Sequence, residues 1–156
     1  MNDRADVGDP IPDIALETPD GGQVTPSDFA GRKLVLYFYP KDATPGCTLE
    51  AQDFRDRHAA FAKAGVEVVG VSRDSARSHD NFCLKQQLPF PLLSDADESL
   101  CNAFGVIKDK NMYGRKVRGI ERSTFLFDER GVLRREWRGV KVKGHADEVL
   151  EAARSL

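Results

Sequence analysis

Cysteine is scarce in this chain. There are three among 156 residues, an odd and scattered set that does not make the disulfide framework of a small secreted domain. A reducing, cytoplasmic setting is expected. There a cysteine is inert, catalytic or redox-active more often than it is a structural bridge. No C-x-x-C pair is present, which removes the usual dithiol-exchange motif. Cysteine and histidine show no ligand spacing, so neither a metal site nor another cofactor is expected. Long apolar runs are missing too: the longest are about seven residues, against the roughly 20 needed to cross a bilayer. The opening MNDRADVGDP has no apolar core, and no export signal is expected. Neither sign of charge dominates, with Lys+Arg 23 against Asp+Glu 25 and a net charge of −2. That balance gives no reason to expect binding to nucleic acid or to an anionic membrane. There is no internal repeat or low-complexity segment, and 156 residues suit a single domain over 1–156.

What is present is a regular alternation of apolar runs and amphipathic stretches. ALETPDGGQVTPSDF carries a turn at Asp20-Gly21-Gly22 between two short extended pieces, an N-terminal β-hairpin. KLVLYFY, at 33–39, reads as a strand buried on both faces. CTLEAQDFRDRHAAFAKAG spaces Leu49, Phe54, Phe61 and Ala64 as one long helix and ends on a glycine cap at Gly65. VEVVGVS, at 66–72, is a second buried strand. In DSARSHDNFCLKQQ either Asp74 or Ser75 is placed to cap a second helix. FPLLSD is a short strand and ADESLCNAF a short helix. RSTFLFDERGVLRREW is a hairpin turning at Glu129-Arg130-Gly131, and HADEVLEAARSL a closing helix. Strand-helix-strand-helix-strand-helix implies parallel strands with right-handed crossovers, and the final hairpin adds antiparallel ones. The expected class is α/β, a mixed central sheet with helices on both faces. A thioredoxin-like arrangement fits this order, although periodicity alone does not select it over other mixed α/β folds.

Chemistry concentrates in YFYPKDATPGCTLEAQDF, where Cys47 falls in the first turn of a helix behind a strand. Backbone N–H groups are unpaired there and the helix dipole favours negative charge, so a thiol is biased towards thiolate. Pro40 ends the strand, Pro45 fixes the backbone ahead of the helix, and Gly46 permits close approach of a ligand. Thr44 offers a hydroxyl to a bound oxygen. The competing reading makes Cys47 a small apolar filler at a junction. As a nucleophile it has three possible targets. Attack on a carbonyl needs a histidine base, but His58 lies roughly 16 Å along the same predicted helix, and His79 and His145 read as solvated helix residues. Attack on a disulfide lacks its C-x-x-C. Attack on a peroxide needs a thiolate, donors for two oxygens and a cation.

YPKDATPGCT resembles the active-site signature of the peroxiredoxins, with Pro40, Thr44 and Cys47 in P-x-x-x-T-x-x-C spacing. YFYPKD, GVSRDS, FPLLSD and ERSTFL are similar to the peroxiredoxin Q group, also called bacterioferritin comigratory protein, over almost the whole chain. The resemblance implies a thioredoxin-like fold and a thiol-dependent peroxidase that reduces hydrogen peroxide and organic hydroperoxides through a sulfenic acid on Cys47. It also implies that Arg122, by default a surface residue, reaches the site. A guanidinium there stabilises a thiolate and holds a peroxide oxygen. Glu50, one turn on, either orients Arg122 or is a plain solvated glutamate.

Many members of the group carry a second, resolving cysteine five residues after the first. That position here is Gln52, so the pattern is broken. The resemblance implies that Cys83, in SHDNFCLKQ, resolves the sulfenic acid, as in members whose resolver lies on the next helix. Cys101, beside Leu100 and near Phe104, reads as a core or boundary cysteine. Cysteines on separate helices with Cα atoms beyond about 7 Å join only if backbone moves, so local unwinding around Cys47 and Cys83 is expected after oxidation. The resemblance further implies thioredoxin, or a similar dithiol, as reductant, and a monomer. Two other classes remain: a redox-sensing module that is oxidised once and signals, and a cysteine hydrolase with a histidine beside Cys47.

Overall fold

The computed structural model describes residues 5–29 and 31–156. A short hairpin, β1 (Leu16–Glu17) and β2 (Gln23–Val24), leads through a 3-10 turn into β3 (Lys33–Phe38). Then come α1 (Pro45–Asp56), α2 (His58–Lys63), β4 (Val66–Ser72), α3 (Ala76–Gln86), β5 (Leu92–Ser94) and α4 (Ser99–Phe104). A second hairpin, β6 (Ile107–Met112) and β7 (Arg115–Ile120), precedes β8 (Ser123–Phe127), β9 (Leu133–Arg138) and α5 (His145–Arg154). The main sheet has the order β2-β1-β5-β4-β3-β8-β9. β3, β4 and β5 are parallel, and the remaining pairings are antiparallel. Among the described residues no helix is long and apolar enough to cross a membrane.

Side chains alternate across the central strands, and two cores result. Val35, Tyr37, Val66, Val68, Leu92 and Leu126 face α1, α2, α3 and α5, where Phe54, Phe61, Phe82 and Val149 meet them. Leu34, Leu36, Phe38, Val69, Val71 and Phe125 face the other way, against Leu100, Cys101 and Phe104 of α4. Helices therefore cover both faces, which is why β3 and β4 read as continuous apolar runs. Gly70 interrupts β4 for a reason: a Cβ there would sit 2.6 Å from Leu92 Cδ2 and 2.9 Å from Tyr37 Cζ.

Two expectations change. The stretch expected as one helix from Cys47 to Gly65 is broken at Arg57, whose φ and ψ are −107° and 5°. The Arg57 N–H bonds Phe54 O, and its guanidinium takes the Asp53 carbonyl that a continuous helix would have used. The same guanidinium reaches Asp147 on α5, so a tertiary ion pair holds the break. Gly65 still serves as the expected glycine stop, at φ 75°. The second change is the β6–β7 hairpin, an addition to the elements expected from the sequence. Its turn, Tyr113-Gly114, has positive φ at both residues, 55° and 79°, the geometry of a type I′ hairpin turn.

Candidate active site

The parallel strands end on one edge of the molecule, where α/β folds collect their ligands. There β3 gives way to the loop Tyr39–Thr44 that delivers Cys47. Ser123 opens β8 opposite Phe38, the last residue of β3. This register sets Arg122 beside the same loop, while Val140 N–H bonds its carbonyl at 2.9 Å.

Thr44 caps α1 with extended backbone (φ −79°, ψ 154°), Pro45 starts the helix, and Cys47 sits in its first turn. The helix leaves the Gly46 and Cys47 N–H groups without carbonyl partners four residues back. Cys47 is 2% exposed. Arg122 Nη2 donates to its Sγ at 3.4 Å, and Nη1 donates to Glu50 Oε1 at 2.6 Å. One planar guanidinium thus spans the sulfur and a carboxylate one turn further along α1. Gly46 is needed for this approach, since a Cβ at 46 would lie 3.1 Å from Arg122 Nη2.

Glu50 is buried, not solvated, and its Oε2 has no hydrogen-bond partner among the described residues. Burial outweighs the attraction of Arg122 and pushes its carboxyl up from 4.5 to about 7. Arg122 is itself held more firmly protonated: burial works against its charge, but Glu50 and Cys47 more than offset this. Thr44 differs from expectation in one detail. Its hydroxyl donates to the Lys41 carbonyl at 2.8 Å, so it meets a ligand with oxygen lone pairs and not with its proton. Between Asp42 and Thr44, Ala43 has φ 62°, a left-handed conformation that costs a non-glycine residue about 1–2 kcal/mol.

All three cysteines are free thiols. Cys83 is partly buried and packs against the core that contains Cys47. Burial, with Asp42 adding to it, pushes its thiol up to about 11. Cys101 is fully buried in the opposite core, behind the sheet, and its thiol is pushed far above the ordinary range by burial and by Asp95. Gln52 ties α1 to α3 through a 2.9 Å bond to Gln86.

The histidines expected on solvated surfaces are buried instead. His79 is 0% and His145 is 6% exposed. His145 Nε2 lies 2.8 Å from Thr124 Oγ1, and burial lowers its pKa to about 4. His79 joins Asp42 at 2.8 Å. Their partners come from strands and loops distant in sequence, which helical periodicity does not reveal. Arg122, not a histidine, stands beside the sulfur, and this removes the hydrolase reading. Asp42, a buried carboxylate in the Cys47 loop, carries little signal in the sequence beyond a charge amid a turn-forming PKDATPG.

Comparison with known proteins agrees with this geometry. The model of the AhpC/TSA family matches residues 7–136. A peroxiredoxin Bcp of Xanthomonas campestris pv. campestris is 57% identical over 143 residues, 92% of this chain and 89% of that one. A solved structure of the Xanthomonas campestris bacterioferritin comigratory protein concerns its alkyl peroxide reduction activity and trapped intermediate/ligand complexes. It superposes with a TM-score of 0.89 at 53% identity, covering 96% of this chain and 98% of that one. Two single Cys-to-Ser variants of Xanthomonas campestris peroxiredoxin Q have also been solved, each 54% identical with a TM-score of 0.89. They cover 97% of this chain and 98% and 99% of theirs. Their two altered positions are separated as Cys47 and Cys83 are here.

Proposed function

Because the chain belongs to the AhpC/TSA family, in its peroxiredoxin Q and Bcp group, we propose that Cys47 is the sulfur with which it attacks hydroperoxides. The protein is a thiol-dependent peroxidase with a thioredoxin-like fold. The single observation that carries the site assignment is the Arg122 guanidinium, shared between Cys47 Sγ and Glu50.

In this reading the Cys47 thiolate attacks the terminal peroxide oxygen. An S–O bond forms as the O–O bond breaks, and the departing oxygen takes a proton to leave as water or an alcohol. Arg122 and the Cys47 N–H stabilise the charge that moves onto that oxygen. Thr44, its own proton committed to Lys41, accepts from the peroxide hydroxyl and aligns it. The sulfenic acid left on Cys47 is then attacked by Cys83, releasing water and forming a disulfide. Cys83 shares a core with Cys47, whereas Cys101 is walled off by the sheet. A thiol held near 11 is a poor nucleophile. Local opening of α3, which removes both burial and the proximity of Asp42, is therefore part of the step. An external dithiol, thioredoxin or one like it, then reduces the exposed disulfide. The range of substrates covers hydrogen peroxide and organic hydroperoxides, as the alkyl peroxide chemistry of the Xanthomonas campestris relative suggests. The chain acts as one domain and a monomer, its exposed large apolar residues being dispersed along it. Its unbridged thiols suit the cytoplasm.

Turnover with excess peroxide, thioredoxin and its reductase tests this. Wild type should cycle, Cys47→Ser should consume nothing, and Cys83→Ser should stall after the first oxidation, its sulfenic acid then open to irreversible oxidation by the excess peroxide. A wild type that stops after one equivalent would instead be a redox sensor.

A further inference from the structure

The loop that delivers Cys47 and the helix that carries Cys83 share a buried polar cluster for which the peroxidase chemistry has no use. Asp42, in the loop, makes four hydrogen bonds or close polar contacts, three to its carboxylate and one from its own N–H. Two come from α3: Ser78 Oγ donates to Oδ2 at 2.8 Å, and His79 Nδ1 lies 2.8 Å from the same oxygen. Tyr39 donates to Oδ1 at 2.5 Å, and the Asp42 N–H itself donates to Asp74 Oδ2 at 2.8 Å. On its far side, His79 Nε2 faces the Leu93 carbonyl at 3.1 Å. Both ring nitrogens thus face oxygens, and the imidazole is held from two sides.

We propose that the Asp42–His79 pair is a clamp that makes opening of α3 and opening of the Cys47 loop one event, with His79 the positioning residue. The inference rests on Cys83 being the resolver. His79 lies one turn before Cys83 on the same side of α3, so unwinding that frees the thiol withdraws the imidazole from Asp42. Ser78 leaves with it. Asp42 then loses its donors from α3, and the residue after it is Ala43 in a left-handed conformation. Such a conformation persists only while its surroundings hold it. Once released, Ala43 relaxes, Thr44 shifts with it, and α1 loses the residue that begins it. The turn holding Cys47 opens when Cys83 becomes available, not before. A cavity of about 400 Å³ lined by Lys41, Asp42, Ala43, Asp74, Ser78 and Phe82 lies over the clamp, so the separated groups meet water.

Asp42, Asp74 and His79 bring ligand atoms within 4.8 Å of one another, as a metal site would. These oxygens, however, already accept from Ser78, Ser72, the His79 ring and the Asp42 N–H. A cluster saturated with donors is a hydrogen-bonded clamp.

The test uses rapid-quench alkylation with intact mass to time Cys47 oxidation and disulfide formation separately, in wild type, His79→Gln and the milder Ser78→Ala. The ratio of the disulfide-forming rate to the oxidation rate should rise about tenfold in His79→Gln, the effect of weakening a hydrogen bond to a charged group. It should rise about threefold in Ser78→Ala, where one neutral donor is lost. A merely structural role would lower stability without raising this ratio. In parallel, hydrogen exchange on the reduced Cys47→Ser protein should give one shared opening for 41–48 and 76–86, which separates into two when His79→Gln is added. An unchanged or lowered ratio in both variants, or two independent openings in the parent, overturns the clamp. Absence of a Cys47–Cys83 disulfide in wild type overturns the resolver reading alone, because the exchange comparison needs no disulfide and still decides the clamp.

Discussion

Replacing Glu50 by Gln isolates the electrostatic cost built into the site. The folded protein binds the Glu50 proton more tightly than the unfolded chain does, because burial raises the carboxyl from 4.5 to about 7. A group whose folded pKa is raised contributes stability that is complete below its unfolded value and is lost as pH rises through the folded one. For a shift of this size the loss is about 3 kcal/mol, of which about 2 kcal/mol falls between pH 5 and pH 7.5. Gln keeps a carbonyl oxygen for Arg122 Nη1 and cannot ionise. Urea unfolding of the reduced wild type and of Glu50→Gln, at both pH values, gives the quantity directly. Titrating groups remote from Glu50, and the pH-independent cost of a buried amide, cancel in the difference of differences. The unfolding free energy of wild type should fall relative to Glu50→Gln by about 2 kcal/mol from pH 5 to pH 7.5. Parallel pH dependences for the two proteins would refute the reasoning and mean that Arg122 fully compensates the burial of this carboxylate.

Two substitutions test the guanidinium. Arg122→Lys keeps the charge but cannot span Cys47 and Glu50 with a planar fork, so the second-order rate with peroxide should fall at least about tenfold, measured by competition or stopped flow. An undiminished rate would show that the fork is not used. Gly46→Ala places a methyl 3.1 Å from Arg122 Nη2. Displacing the guanidinium by a few tenths of an ångström should slow Cys47 oxidation by about tenfold without lowering Tm comparably. A drop in Tm with an unaltered rate would contradict that assignment.

The parts of this fold that show in the sequence are those fixed locally. KLVLYFY and VEVVGVS are apolar throughout because helices cover both faces of the central sheet, and their strands fall where the runs do. Ser75 caps α3 by accepting from the Ser78 N–H, and Gly65 and Gly131 take the left-handed turns their neighbours require. The break at Arg57 was hidden because an ion pair with Asp147, ninety residues away, decides it. β6–β7 was hidden because its turn uses tyrosine before Gly114, not the asparagine or aspartate that signals a type I′ turn. At the site, spacing alone placed Cys47 and Thr44 at the head of a helix. Only the resemblance brought in Arg122, since nothing within its own segment points at a sulfur 75 residues away. Asp42 and His79 stayed invisible because their meaning lies in contacts between a loop and a helix.

The central claim is that Cys47 is oxidised first and Cys83 closes on it. One equivalent of peroxide, followed by intact mass and a count of free thiols, tests it on wild type and on each Cys-to-Ser variant. Wild type and Cys101→Ser should each lose two thiols and two hydrogens. Cys83→Ser should lose one thiol and gain one oxygen, and Cys47→Ser should remain unchanged. Closure of a disulfide in Cys83→Ser, with an oxygen trapped in Cys101→Ser, would contradict the account and carry the bridge to the other face of the sheet.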